Sequence, residues 1–115
     1  MIYHITSEIA WEQAQKSGAY QGDTLFTEGF IHTSTLQQVN RTANKFYTGK
    51  TGLVVLEIDE SKLIHEVKYE GAVNGELFPH IYGDLNLNAV VRVLPFAPNE
   101  DGTFTFQLPG EQKIR

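Results

Sequence analysis

Apolar and polar residues alternate through Ile2-Tyr3-His4-Ile5-Thr6, and that period of two predicts an opening strand. Ser7 then offers a capping hydroxyl, and Glu8 places a negative charge where a helix start favours one. Trp11 and Ala14 share a face of the helix that begins there, and Gly18 supplies the left-handed residue that ends it. Residues 18–29 show no period and predict a loop, with Gly22-Asp23 as its clearest turn. Phe30-Ile31 is a short apolar piece that stops at His32. Ser34 and Gln37 have the spacing of a capping box, and Leu36, Val39, Ala43, Phe46 and Tyr47 follow at helical spacing. A second helix is therefore expected, packing Leu36, Val39, Ala43 and Phe46 on the next strand and ending at Gly49 and Gly52.

That next strand is the nearly continuous apolar run Leu-Val-Val-Leu-Glu-Ile at 53–58, which predicts a central strand covered on both faces. Residues 59–62 turn the chain, 65–70 alternate as a half-exposed strand, and 71–75 read as a loop. Residues 89–94 predict another buried strand, and 104–106 an edge strand after the turn at 99–102. Helices come early and strands late, which predicts an α+β domain with a mixed or antiparallel twisted sheet and two helices from the N-terminal half.

A length of 115 residues fits a single domain spanning 1–115, and 41% apolar residues suffice for one core. No apolar run reaches the ~20 residues of a membrane helix, and the start has neither a basic nor an apolar leader segment, so a cytoplasmic protein is expected. With no Cys there is no disulfide framework and no thiolate. Nine basic and fourteen acidic residues give a net charge of −5, so Arg41, Lys45 and Lys50 predict a solvated helix face and not a duplex nucleic-acid footprint. No P-loop, no G-x-G-x-x-G and no G-x-S-x-G elbow occurs.

The candidate chemistry lies in two segments, Gly29-Phe30-Ile31-His32-Thr33-Ser34 and Phe78-Pro79-His80-Ile81-Tyr82-Gly83. Pro79 restricts Phe78 to extended backbone, Gly83 allows a tight exit, and Tyr82 points the same way as His80 if the piece is extended. Imidazoles and an aromatic ring on Gly- and Pro-framed segments fit a small-molecule site, so His32 and His80 are expected in one cleft. Zinc held by His32, His80 and one of Glu70, Glu76 or Asp84 is the weaker alternative, because no close-spaced ligand motif is present. No metal is therefore assigned.

The two His segments, the helix carrying Gln37, the strand 53–58, the opening Ile2-Tyr3-His4-Ile5-Thr6 and Trp11 together resemble the bacterial and plant family called domain of unknown function 952. That family is similar in fold to the ADP-ribosyltransferase superfamily. In its RNA 2′-phosphotransferase branch, segments like Tyr3-His4-Ile5-Thr6, Ile31-His32-Thr33-Ser34 and Leu56-Glu57-Ile58-Asp59 come in this order. The resemblance implies a compact ADP-ribosyltransferase-like domain with NAD or ADP-ribose as the candidate ligand. It places His4 and His32 near ribose and pyrophosphate, makes Thr6, Ser34 and Tyr82 further ligand contacts, and offers Glu70 as a catalytic carboxylate beside His32 and His80. Ile5 stands where that branch has glycine, and its side chain is expected to fill nicotinamide space and favour ADP-ribose. A non-catalytic pocket protein for a nucleotide or small anionic metabolite, and a protein-interaction module, remain the alternatives.

Overall fold

In a computed structural model, which describes residues 1–71 and 74–109, the opening alternation becomes strand β1 (Ile2–Ser7) and runs straight into helix α1 (Glu8–Ser17). Ser7 is the extended cap whose hydroxyl oxygen accepts from the backbone N–H of Ala10 at 3.0 Å. Gly18 ends the helix at φ 97°, a left-handed conformation that costs other residues a clash at Cβ. The segment expected to be loop holds two short elements, β2 (Ala19–Tyr20) and the single turn α2 (Leu25–Glu28). Neither is long enough to impose a period on the sequence.

Strand β3 (Ile31–His32) leads into a tight 3₁₀ turn and helix α3 (Val39–Phe46). The capping box lies one residue later than expected: Thr35, not Ser34, pairs with Gln38, whose Oε1 accepts the Thr35 N–H at 2.9 Å. Ser34 is unavailable because its backbone exchanges two 2.8 Å hydrogen bonds with Tyr3. Gln38 also donates to the Leu77 carbonyl at 2.8 Å, which ties the start of α3 to the C-terminal half.

The remaining strands are β4 (Leu53–Ile58), β5 (Val67–Gly71), β6 (Leu77–Ile81), β7 (Leu85–Asn86) and β8 (Val90–Phe96). All pairings are antiparallel: β4 lies between β1 and β8, β6 between β3 and β5, and β2 pairs β7. The Tyr3–Ser34 bridge joins the two three-stranded sheets along the free edge of β1. The fold is thus α+β with antiparallel sheets and few helices. Residues 72–73 of the expected 71–75 loop lie outside the described residues.

Every residue of β4 is buried, as the apolar run predicts. Val54, Leu56 and Ile58 join one core cluster with Ile31, Ile81 and Leu85, while Leu53 and Val55 join the other with Val39, Ala43 and Phe96. Three expectations fail around the second cluster. Phe46 is 62% exposed, and Tyr47 packs there instead. Strand β8 is an edge strand with Val91 and Val93 exposed, while Val90 at one end and Leu94 and Phe96 at the other are covered. Residues 104–106 pair with no strand: the side-chain amides of Asn40 and Asn44 on α3 bond the backbone of Phe106 and Phe104.

At about 100° per residue, Val39, Ala43 and Tyr47 form one buried arc with Asn40 and Asn44 continuing it on the Tyr47 side, and Phe46 lies beyond Val39 at the other end.

Candidate functional site

Ile31 of β3 and Ile81 of β6 face each other and are fully buried, so the next residues on each strand project from the opposite face. Those residues are His32 and His80, which are cross-strand partners with ring centroids 5.2 Å apart and planes at 74°. Lys68 of β5 is the partner of His80 on its other side, so the three side chains form one row on one face. The two histidines expected in one cleft are therefore direct neighbours, although 48 positions separate them in the sequence.

Each imidazole has one nitrogen held by a carboxylate. His80 Nδ1 lies 2.7 Å from Glu70 Oε1, and the Tyr82 hydroxyl donates to the same oxygen at 2.6 Å. His32 Nε2 lies 3.1 Å from Glu28 Oε1, offered by the single turn of α2. Phe30 stacks on His80 at 4.0 Å with planes 14° apart, meets His32 edge-on at 4.8 Å and leans on Tyr82 at 5.3 Å. Lys68 Nζ stands 4.8 Å over the Tyr82 ring, a cation–π contact. The side chain of His32 is 51% exposed and that of His80 14%, so the cluster is an open face with one imidazole more enclosed than the other.

The charges follow from these bonds. The Tyr82 hydroxyl, and after it His80, hold the Glu70 carboxyl below its usual range, because both stabilise the anion. Glu70 in turn pushes the Tyr82 phenol up. Tyr82→Phe is therefore expected to move the Glu70 titration upward, read from the side-chain carboxyl carbon by NMR. An unchanged Glu70 titration would show that the hydroxyl does not govern it.

Gly83 closes the segment against His65, since a Cβ at position 83 would lie 2.3 Å from the His65 ring. The glycine expected to allow a tight exit is thus required by close packing.

His4, Thr6 and Ser34 belong to a different set of bonds. His4 Nδ1 lies 2.6 Å from the His32 carbonyl and Nε2 lies 2.7 Å from the Tyr20 hydroxyl, which lies 2.8 Å from Thr6 Oγ1. A carbonyl only accepts, so Nδ1 carries the proton and the neutral ring accepts at Nε2 from Tyr20. Burial pushes the imidazole of His4 down to about 4 and the Tyr20 phenol up to about 12. Ser34 is buried, and its hydroxyl lies 3.3 Å from Thr42 Oγ1. These residues fasten β1 to β3. Ile5, expected to fill nicotinamide space, is instead buried in the core with Val39 and Leu53.

The sequence reading brought forward His32, His80, Glu70 and Tyr82, and all four meet. It missed Glu28, Phe30 and Lys68 as site residues. Glu28 carries the usual helical offset of four from His32, a faint signal, and Lys68 lies two residues before Glu70 in the alternating strand. Glu76 pairs with Arg41 and Asp84 with Gln21, away from the histidines, and no group of His, Asp or Glu among the described residues is disposed to hold a metal ion. Among the described residues no helix is long and apolar enough to cross a membrane.

Residues 5–93 match the family described as "Protein of unknown function (DUF952)". The crystal structure of protein CC0527 from Caulobacter crescentus is 32% identical to this chain, with a TM-score of 0.84 over 90% of this chain and 92% of that one. The solution NMR structure of CC0527 is 33% identical, with a TM-score of 0.78 over 89% of each chain. No curated protein matches the chain.

Proposed function

The chain belongs to the DUF952 family, whose description names no activity, and from its own residues we propose that the outer face of β3, β6 and β5 binds a small ligand carrying phosphate on ribose, with ADP-ribose and NAD the first candidates and acid–base transfer the chemistry. The observation that carries this reading is the convergence of His80 and Tyr82 on one oxygen of Glu70, at 2.7 and 2.6 Å, with His32 5.2 Å from His80. Imidazoles paired with carboxylates are suited to taking and giving protons. Lys68 adds a fixed cation to the row, and Phe30 and Tyr82 offer rings against which a base stacks. A net charge of −5 opposes an anionic ligand, so the local groups must outweigh the field of the whole chain.

The same reading takes the fold as ADP-ribosyltransferase-like. It is supported by the adjacency of segments 3–6, 31–34 and 56–59: Tyr3 bridges Ser34, and β1 pairs with β4. The open setting of the cluster favours, as a second reading, a binding protein without catalysis.

Calorimetric titration with ADP-ribose and with NAD tests the reading. Heat that is lost in the His32→Ala/His80→Ala double variant is expected. No heat at millimolar ligand, or equal heat in the double variant, would remove this face as the binding site.

A further inference from the structure

We infer that this face cleaves ribonucleotide phosphodiesters by attack of the substrate's own 2′-hydroxyl, with His80 as base and His32 as acid. The inference rests on the proposed ribose-phosphate site and names its substrate class and reaction. Its first ground is the pair itself. Each imidazole is held by a carboxylate at one nitrogen, His80 at Nδ1 by Glu70 and His32 at Nε2 by Glu28, and the other two, His80 Nε2 and His32 Nδ1, are assigned to the ligand. Two imidazoles 5.2 Å apart on one face can serve the two ends of one displacement at phosphorus.

The second ground is the nucleophile. The cluster consists of Glu28, Phe30, His32, Lys68, Glu70, His80 and Tyr82, and none of these is a serine, threonine or cysteine. Thr33 and Ser34, the two residues that follow His32, are buried and bonded to the Pro79 carbonyl and to Thr42. Acid–base groups without a nucleophile of their own suit a substrate that brings one, and a ribose 2′-hydroxyl stands next to its 3′-phosphodiester. The third ground is the shape. A depression of about 260 Å³ exists beside α1, lined by Glu8, Trp11 and Val93, but none of the cluster residues lines it. An open sheet face with Lys68 beside the two histidines and a stacking phenylalanine accepts a short strand crossing it, a base on Phe30 and phosphate by Lys68.

The step balances without a co-reactant. Neutral His80 takes the 2′-hydroxyl proton, the 2′-oxygen forms its bond to phosphorus, and the bond from phosphorus to the 5′-oxygen breaks. Protonated His32 gives its proton to that leaving oxygen. The products are a 2′,3′-cyclic phosphate and a 5′-hydroxyl, and solvent restores the two imidazoles. The more enclosed ring, 14% exposed, is the base at the sheet, and the 51% exposed ring is the acid on the side from which the product leaves. Glu70 and Glu28 are positioning residues.

The test incubates the full chain with a panel of ribodinucleoside monophosphates covering all base combinations, and with their 2′-deoxy counterparts. Nucleoside 2′,3′-cyclic phosphate is expected from ribo substrates, with the deoxy compounds intact. His32→Ala and His80→Ala, checked for folding by circular dichroism, are each expected to lose about 10²-fold or more in rate. Cyclic phosphate from none of the ribo panel, or cleavage at the unmodified chain's rate in either variant, overturns the inference. If the deoxy dinucleotides or ADP-ribose bind by calorimetry while no ribo substrate is cut, the binding site stands and the reaction falls. If nothing binds and nothing is cut, both fall.

Discussion

Leu56→Ala is expected to lower the free energy of unfolding by about 2–5 kcal/mol, the range for emptying a buried leucine site. Leu56 has no exposed surface and lies mid-way along β4, with His4 of β1 on one side and Val93 of β8 on the other. Ladders on both edges hold the backbone in place, so the walls formed with Ile31, Ile81 and Leu85 relax little into the space. Phe46→Ala removes a larger side chain, yet it is expected to cost less than about 1 kcal/mol, because 62% of Phe46 is already in solvent. Urea unfolding with an unchanged m-value reads both. Equal costs for the two variants would show that the burial pattern of α3 and β4 is wrong.

The contrast between those two residues marks where sequence patterns carry and where they stop. Leu56 sits in a six-residue apolar run whose burial needs no partner to be inferred, and α1 is framed by local signals, Ser7 at its start and Gly18 at its end. Phe46 has the right spacing but lies at the exposed end of the buried arc of α3, and the other end meets residues 104–106, which arrive from the far end of the chain. Those residues alternate like a strand, and only the structure shows that two asparagine amides replace the strand partner. The capping box is a sharper instance. Ser34 with Gln37 and Thr35 with Gln38 are equally good locally, and the choice is made by Tyr3, whose pairing with Ser34 is not a local feature. In the site, Gly and Pro framing pointed to His32 and His80, whereas Glu28 and Lys68 look like ordinary surface charges until β3, β6 and β5 are laid side by side.

Lowering the pH from about 6.5 to about 4 is expected to remove on the order of 3 kcal/mol of stability through His4 alone. Burial pushes this imidazole down from its ordinary 6.5 to about 4, since a charged ring there loses its hydration. Below 6.5 the unfolded chain takes up a proton that the folded chain refuses, so the contribution is full above that pH and falls as the pH drops toward 4. The loss is a large share of the ~5–15 kcal/mol of a typical domain. It is also separable from the carboxylates. Glu57, Asp59, Glu70 and Asp101 are all held below their ordinary values, so their stabilisation is lost only as the pH falls below about 4.5. The slope between about 4.5 and 6.5 therefore carries the His4 signature. His4→Asn keeps a donor near the His32 carbonyl and removes the titrating ring, so it is expected to be less stable at neutral pH but to have a flatter slope in that window. Nitrogen NMR of the intact protein gives a reading that does not depend on the variant folding. It is expected to show His4 neutral and protonated at Nδ1 down to pH about 5, because the His32 carbonyl accepts from that nitrogen and the Tyr20 hydroxyl donates to the other. An unfolding slope in His4→Asn equal to that of the parent, or an imidazolium signal for His4 already present at pH about 6, would remove His4 as the source of the acid sensitivity.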